Sequence, residues 1–103
     1  MPTSTRFDLP RGPQLPPFLG EAVRARRVAL GITQEALAER CDLDRMQVSR
    51  VERGAINTTT QVVGLLAVGL QTYPDELMRT ARIAWVEANP WYAEAVARGR
   101  IDG

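Results

Sequence analysis

The sequence predicts an all-α protein, a compact domain of short helices with a helical extension behind it. Three observations carry that expectation. Apolar residues recur at helical spacing between Gln34 and Gly54: Leu37, Ala38 and Cys41 give one helix a single face, and Val48 and Val51 do the same for the next. Residues suited to helix starts, Thr33, Asp44, Thr59 and Pro74, stand where such faces begin. The two helices between Gln34 and Gly54 are joined by a tight turn, in which Leu43 supplies an apolar plug.

Residues 1–17, MPTSTRFDLPRGPQLPP, hold five of the seven prolines and no helical or strand period, so a disordered arm is expected. Arg6 and Arg11 could serve a minor-groove arm, but Asp8 dilutes the charge and favours an inert leader. The first helix is predicted from Phe18 to Leu30, entered through Pro17 and ended by Gly31. Leu19, Val23 and Arg27 share one of its faces. An arginine on a buried stripe needs a partner, and Glu52 is the candidate. Arg24 and Arg26 are read as solvated surface. Thr33 caps the second helix, with Glu35 in its first turn where the helix dipole favours an acid. Cys41 is read as a small core hydrophobe.

Asp44 and Gln47 have the spacing of a capping box for the third helix. Once Val48 and Val51 are buried, helical geometry leaves Arg45, Met46, Gln47, Ser49 and Arg50 on the outer face and its flanks. Guanidiniums, an amide and a hydroxyl suit the hydrogen-bonding edges of the major groove. Thr59 caps a fourth helix, about Thr60 to Leu70, whose Val62, Val63, Leu66 and Leu70 face the core. A fifth helix begins at Pro74, and Leu77, Ala81, Ala84, Trp85 and Ala88 keep its period until Asn89-Pro90. There Asn can cap and Pro can begin a last helix, ended by Gly99. Two such short helices are marginal alone in water. The stripe carrying Trp85, Trp91 and Tyr92 is therefore expected to be covered, by a second copy in preference to the chain's own domain.

A chain of 103 residues makes one domain with a modest core. Its net charge is +1, yet Arg24 to Arg53 holds seven arginines against five acids, a basic middle that fits a footprint on phosphates. One cysteine excludes an intrachain disulfide, and the lack of histidine removes His-based acid–base chemistry and a zinc cluster. No catalytic constellation survives inspection, so neither an enzyme nor a cofactor is expected. No long apolar run or signal-peptide core is seen, and a soluble cytoplasmic protein with no membrane partner is expected.

Residues 19–78 resemble the Cro/phage-repressor (Xre-like) helix-turn-helix family. The matching landmarks are Leu19-Gly20, Val23-Arg24, Arg27, the run Gly31 to Ala38, the box Ser49 to Gly54, and Pro74-Asp75-Glu76-Leu77. The resemblance implies a lambda-repressor-like fold of five helices over residues 18–78; the helical period that continues beyond it makes 79–103 a helical extension, expected to be the dimerisation element. The resemblance also implies a structural ion pair between Arg27 and Glu52. Gln34 would bond a DNA phosphate while buttressing a side chain at the start of the third helix, and Arg53, Asn57, Thr58 and Thr59 would add phosphate contacts. Where the family usually has Gly, this chain has Asp42, which tolerates positive φ at a cost of about 1 kcal/mol. Gly64 and Gly69 interrupt the fourth helix and are expected to loosen it.

The function expected is a sequence-specific regulator of transcription on double-stranded DNA, a repressor that occupies an operator as a homodimer with Trp85, Trp91 and Tyr92 at the interface. The alternatives are an antitoxin-type regulator whose extension grips a partner protein, and an interaction module that keeps the fold without the groove contacts.

Overall fold

The computed structural model describes residues 14–102. Among them the chain forms six α-helices: α1 (Leu15–Ala29), α2 (Gln34–Cys41), α3 (Arg45–Glu52), α4 (Thr60–Gly69), α5 (Pro74–Ala88) and α6 (Pro90–Asp102). The expected arm otherwise lies outside the described residues, so Arg6 and Arg11 receive no structural account. α1 starts at Leu15, three residues before the expected Phe18, and carries prolines in its first turn. Their missing N–H groups cost nothing there, because the first helical donors have no intrahelical acceptor. The last helix also departs from expectation and runs through Gly99 to Asp102.

Local chemistry fixes most of the other boundaries. The Ala36 N–H donates to Thr33 Oγ1 (3.0 Å) and the Val62 N–H to Thr59 Oγ1 (3.2 Å), so both threonines cap as expected. At α3 the Gln47 N–H donates to Asp44 Oδ1 (2.8 Å) and the Asp44 N–H to Gln47 Oε1 (3.4 Å), completing the capping box. Asp42 ends α2 at φ 55°, and the Leu43 N–H closes onto the Ala38 carbonyl at 3.0 Å.

α1 lies against α5 and α3, and α2 against α3 and α4. The core between them is Leu19 and Val23 of α1, Leu37, Ala38 and Cys41 of α2, Val48 and Val51 of α3, Val63, Leu66 and Ala67 of α4, then Leu70, Leu77 and Ala81. Val62, expected in this set, is partly buried at its edge. Burial pushes the Cys41 thiol up from its ordinary value, opposed in smaller measure by a hydrogen bond with the Gly69 backbone and by Arg40. It stays a protonated core group.

Two glycines mark backbone contacts that admit no side chain. A Cβ on Gly20 would strike the carbonyls of Val51 and Glu52, so α1 touches the end of α3 directly. A Cβ on Gly69 would collide with Cys41 Sγ and lie 2.9 Å from Leu37 Cδ1. Gly69 is therefore a packing requirement between α2 and α4, which corrects the expectation that it loosens the helix. Gly64 meets nothing within 4 Å.

The end of α4 is held by two arginines. Arg26 donates from Nε to the Leu70 carbonyl and from Nη2 to the Gln71 carbonyl, both at 3.0 Å, and Arg40 Nη1 donates to the Gly69 carbonyl at 3.3 Å. Cations suit these carbonyls, which have no intrahelical donor and carry the negative end of the dipole. Arg26 is thus a cap that stays on the exposed surface expected of it. It also secures Gln71, a non-glycine residue at φ 56°.

Trp85, Trp91 and Tyr92 pack on one another where α5 turns into α6, with ring centroids 4.6–6.4 Å apart. Asn89, buried at the corner, donates to the Trp85 carbonyl (2.9 Å) and accepts from Trp91 Nε1 (3.2 Å). With the other two beside it, each of the three rings is half-buried.

The two α4 glycines separate in a stability test. Gly64→Ala should raise the free energy of unfolding by about 0.5–1 kcal/mol through helix propensity. Gly69→Ala should lower it by about 1–3 kcal/mol through overpacking. Urea denaturation with unchanged m-values reads both, and a stabilising Gly69→Ala would contradict the close approach of α2 and α4.

Candidate nucleic-acid interface

The third helix presents the sides its sequence dictates. Val48 and Val51 are 0% and 1% exposed, while Arg45, Arg50 and Met46 are exposed, the methionine at 55%. Gln47 and Ser49 are half-buried on the flanks. The capping box occupies Gln47 Oε1, which leaves its amide N–H groups to reach an acceptor on a base.

The expected phosphate residues follow in the chain. Arg53, Asn57 and Thr59 are exposed and Thr58 is half-buried, in the segment between α3 and α4. Thr59 Oγ1 accepts the cap hydrogen bond, and its hydroxyl proton can still donate outward. Behind this segment lies an apolar cleft of about 350 Å³ in which Asn57 and Thr58 meet Leu15, Leu19, Val63 and Met78.

Beneath α3 sits the expected ion pair. Arg27 Nε donates to Glu52 Oε2 (2.6 Å) and Nη2 to Glu52 Oε1 (3.0 Å), a bidentate contact with the Glu52 side chain 3% exposed. The third donor, Nη1, reaches the Ile32 carbonyl at 2.9 Å and so fixes the turn into α2. The hydrogen bond to Glu52 raises the Arg27 guanidinium above its ordinary value, burial works against this, and the Glu52 charge adds to the rise. Among the described residues no buried side-chain nitrogen or oxygen lacks a partner.

Gln34 stands at the start of α2 as expected, but the side chain it meets is not the one the resemblance implied. Its Nε2 donates to Glu52 Oε1 at 3.1 Å, so it is tied to the end of α3 and not to a side chain at its start. Spacing along the chain held no sign of this bond, because residues 27, 34 and 52 meet only after three helices have packed. Among the described residues no cluster of three or more His, Cys, Asp or Glu is placed to hold a metal, and no helix is long and apolar enough to cross a membrane.

Comparison with known proteins agrees with this geometry. The Helix-turn-helix family model matches residues 23–77. The restriction-modification controller protein C.AhdI from Aeromonas hydrophila is 39% identical, with a TM-score of 0.58, over 59% of this chain and 92% of that one. The clp gene regulator ClgR from Corynebacterium glutamicum is 26% identical, with a TM-score of 0.68, over 85% and 92% of the two chains. A mutant of the restriction-modification controller protein C.Esp1396I is 28% identical, with a TM-score of 0.60, over 65% and 89%. The search of curated proteins gave no match.

The bidentate pair makes a stability prediction. Glu52→Ala should cost about 3–5 kcal/mol, since it strands a guanidinium under the core. Arg50→Ala, on the exposed face of the same helix, should stay within about 0.5 kcal/mol. Equal effects in urea denaturation would mean that Glu52 is not the buried tie described.

Proposed function

The chain belongs to the Helix-turn-helix family, of the Cro/phage-repressor (Xre-like) kind, and from that premise we propose that it is a sequence-specific transcriptional repressor. That it is a DNA-binding regulator and no enzyme follows from the family and from solved neighbours named as a clp gene regulator and restriction-modification controllers. The observation carrying the finer reading is the division of α3, with two valines sealed inward and Arg45, Met46 and Arg50 exposed on the other side.

In this reading α3 enters the major groove. Arg45, in its first turn, donates to O6 and N7 of a guanine, and Met46 packs on a thymine methyl. Gln47 and Ser49 offer a second base contact, and Arg50, one turn on, reaches a base or the backbone. Gln34, Arg53, Asn57, Thr58 and Thr59 hold phosphates and set the register without reading sequence. A protein seated in this way excludes polymerase from the same stretch of duplex.

The working unit is a cytoplasmic homodimer. A two-fold pair of readers binds two half-sites, and the extension of α5 and α6 provides the surface that joins them, with Trp85, Trp91 and Tyr92 at or behind it. The rings support this surface by bracing the corner between the helices, whichever of their edges meet the partner.

Binding to a duplex selected from a random pool tests the proposal. Log K should fall linearly with log salt as counterions are released. Arg45→Ala should cost about 1–3 kcal/mol on the selected sequence and remove preference at one base pair. Thr59→Ala should weaken all sequences alike. Equal losses on all duplexes for Arg45→Ala would contradict its role as a base reader. Footprints should show half-sites about 34 Å apart or a multiple of that, and one asymmetric site would contradict the dimer.

A further inference from the structure

Glu52 has partners on two other helices, and one of them is a residue assigned to DNA. Arg27 of α1 covers both carboxylate oxygens, and Gln34 of α2 donates to Oε1 at 3.1 Å. A carboxylate accepts and does not donate, so the group Gln34 turns toward it is the amide nitrogen and not the amide oxygen. That nitrogen carries two N–H bonds that diverge. One is held by Glu52, and the other is directed away from it.

We propose that Glu52 is a positioning residue for phosphate binding: it fixes the Gln34 amide so that the second N–H meets a phosphate oxygen of the DNA. The inference rests on the reading of Gln34 as a phosphate contact. Three physical points support it. A glutamine with no such tie turns its amide either way, and one orientation offers an oxygen to the phosphate and is repelled. A bare carboxylate beside a phosphate would repel it too, and the bidentate guanidinium of Arg27 cancels that charge. Arg27 also holds the Ile32 carbonyl, two residues before Gln34, so backbone and side chain of the α2 entrance are set by one buried pair. The ion pair thus shapes the DNA surface as well as stabilising the fold.

A double-mutant cycle on the full chain tests this, with a duplex selected by the wild-type protein as the probe and the folded fraction checked by circular dichroism. Gln34→Ala and Glu52→Gln should each weaken binding about tenfold, on preferred and scrambled duplexes alike. A glutamine at position 52 accepts and donates equally well, so it no longer orients its neighbour. The double variant should bind no more weakly than the weaker single one. Losses that multiply in the double variant, or full affinity in Glu52→Gln, would overturn the proposal. Should Glu52→Gln fail to fold, the wild-type Gln34 side-chain amide gives the answer by NMR. One of its protons should shift on adding DNA while the other stays in place, and movement of both or neither would overturn the inference. Failure of the wild-type protein to bind duplex at low salt would instead remove the DNA reading itself. Wild-type binding with an undiminished Gln34→Ala would remove the Gln34 phosphate contact and the positioning role with it, and leave the DNA reading standing.

Discussion

A carboxylate drawn almost wholly out of water has to be matched, and at Glu52 the match comes from two other helices at once. Arg27 supplies two donors from α1 and Gln34 one from α2, so the first three helices meet at a single ionic centre. Such a pair offers little net stability over an apolar substitute, but breaking it is costly, which makes it a device for geometry more than for energy. With Glu52 held, the roll of α3 about its axis is fixed. Val48 and Val51 then fill the core, and the opposite side of the same eight residues is left to Arg45, Met46 and Arg50. The direct backbone contact at Gly20 closes the distance that this pair spans.

The far side of the domain is organised by close approach and by caps. Gly69 lets α4 reach Cys41 and Leu37 of α2, and the last carbonyls of α4 are taken by Arg26 and Arg40. The start of α4, capped by Thr59, belongs to the surface assigned to phosphate. One helix therefore has its N-terminal end at the proposed interface while its C-terminal end is fastened to α1 and α2. Any tilt of α4 would move the Thr59 hydroxyl, so the arginine caps steady a group, some ten residues away, that is proposed to meet phosphate.

What the sequence made legible was what short-range chemistry decides. Thr33, Asp44 with Gln47, Thr59 and Pro74 each act within three or four residues, and each helix start they mark is where the structure has it. Asp42 at positive φ belongs with them, because its left-handed turn is local. The inward valines and the outward arginines followed from helical period alone. The misses came from contacts between distant parts of the chain. Arg26 meets Leu70 across 44 positions, and Gln34 meets Glu52 across 18. Gly69 reads as a helix breaker until the neighbour it admits is known. At the first helix Leu15 and the prolines after it read as an arm, since a helix start rich in proline and a loop share a composition.

Recognition of duplex DNA by the exposed side of α3 is the claim on which the functional account rests, and chemical-shift mapping of labelled protein tests it most directly. On titration with a selected duplex, the largest backbone amide shifts should fall at residues 45–50 and 57–60, with α2 disturbed near Gln34 and the middle of α1 quiet. Shifts confined to α5 and α6, or no shifts at low ionic strength, would contradict it.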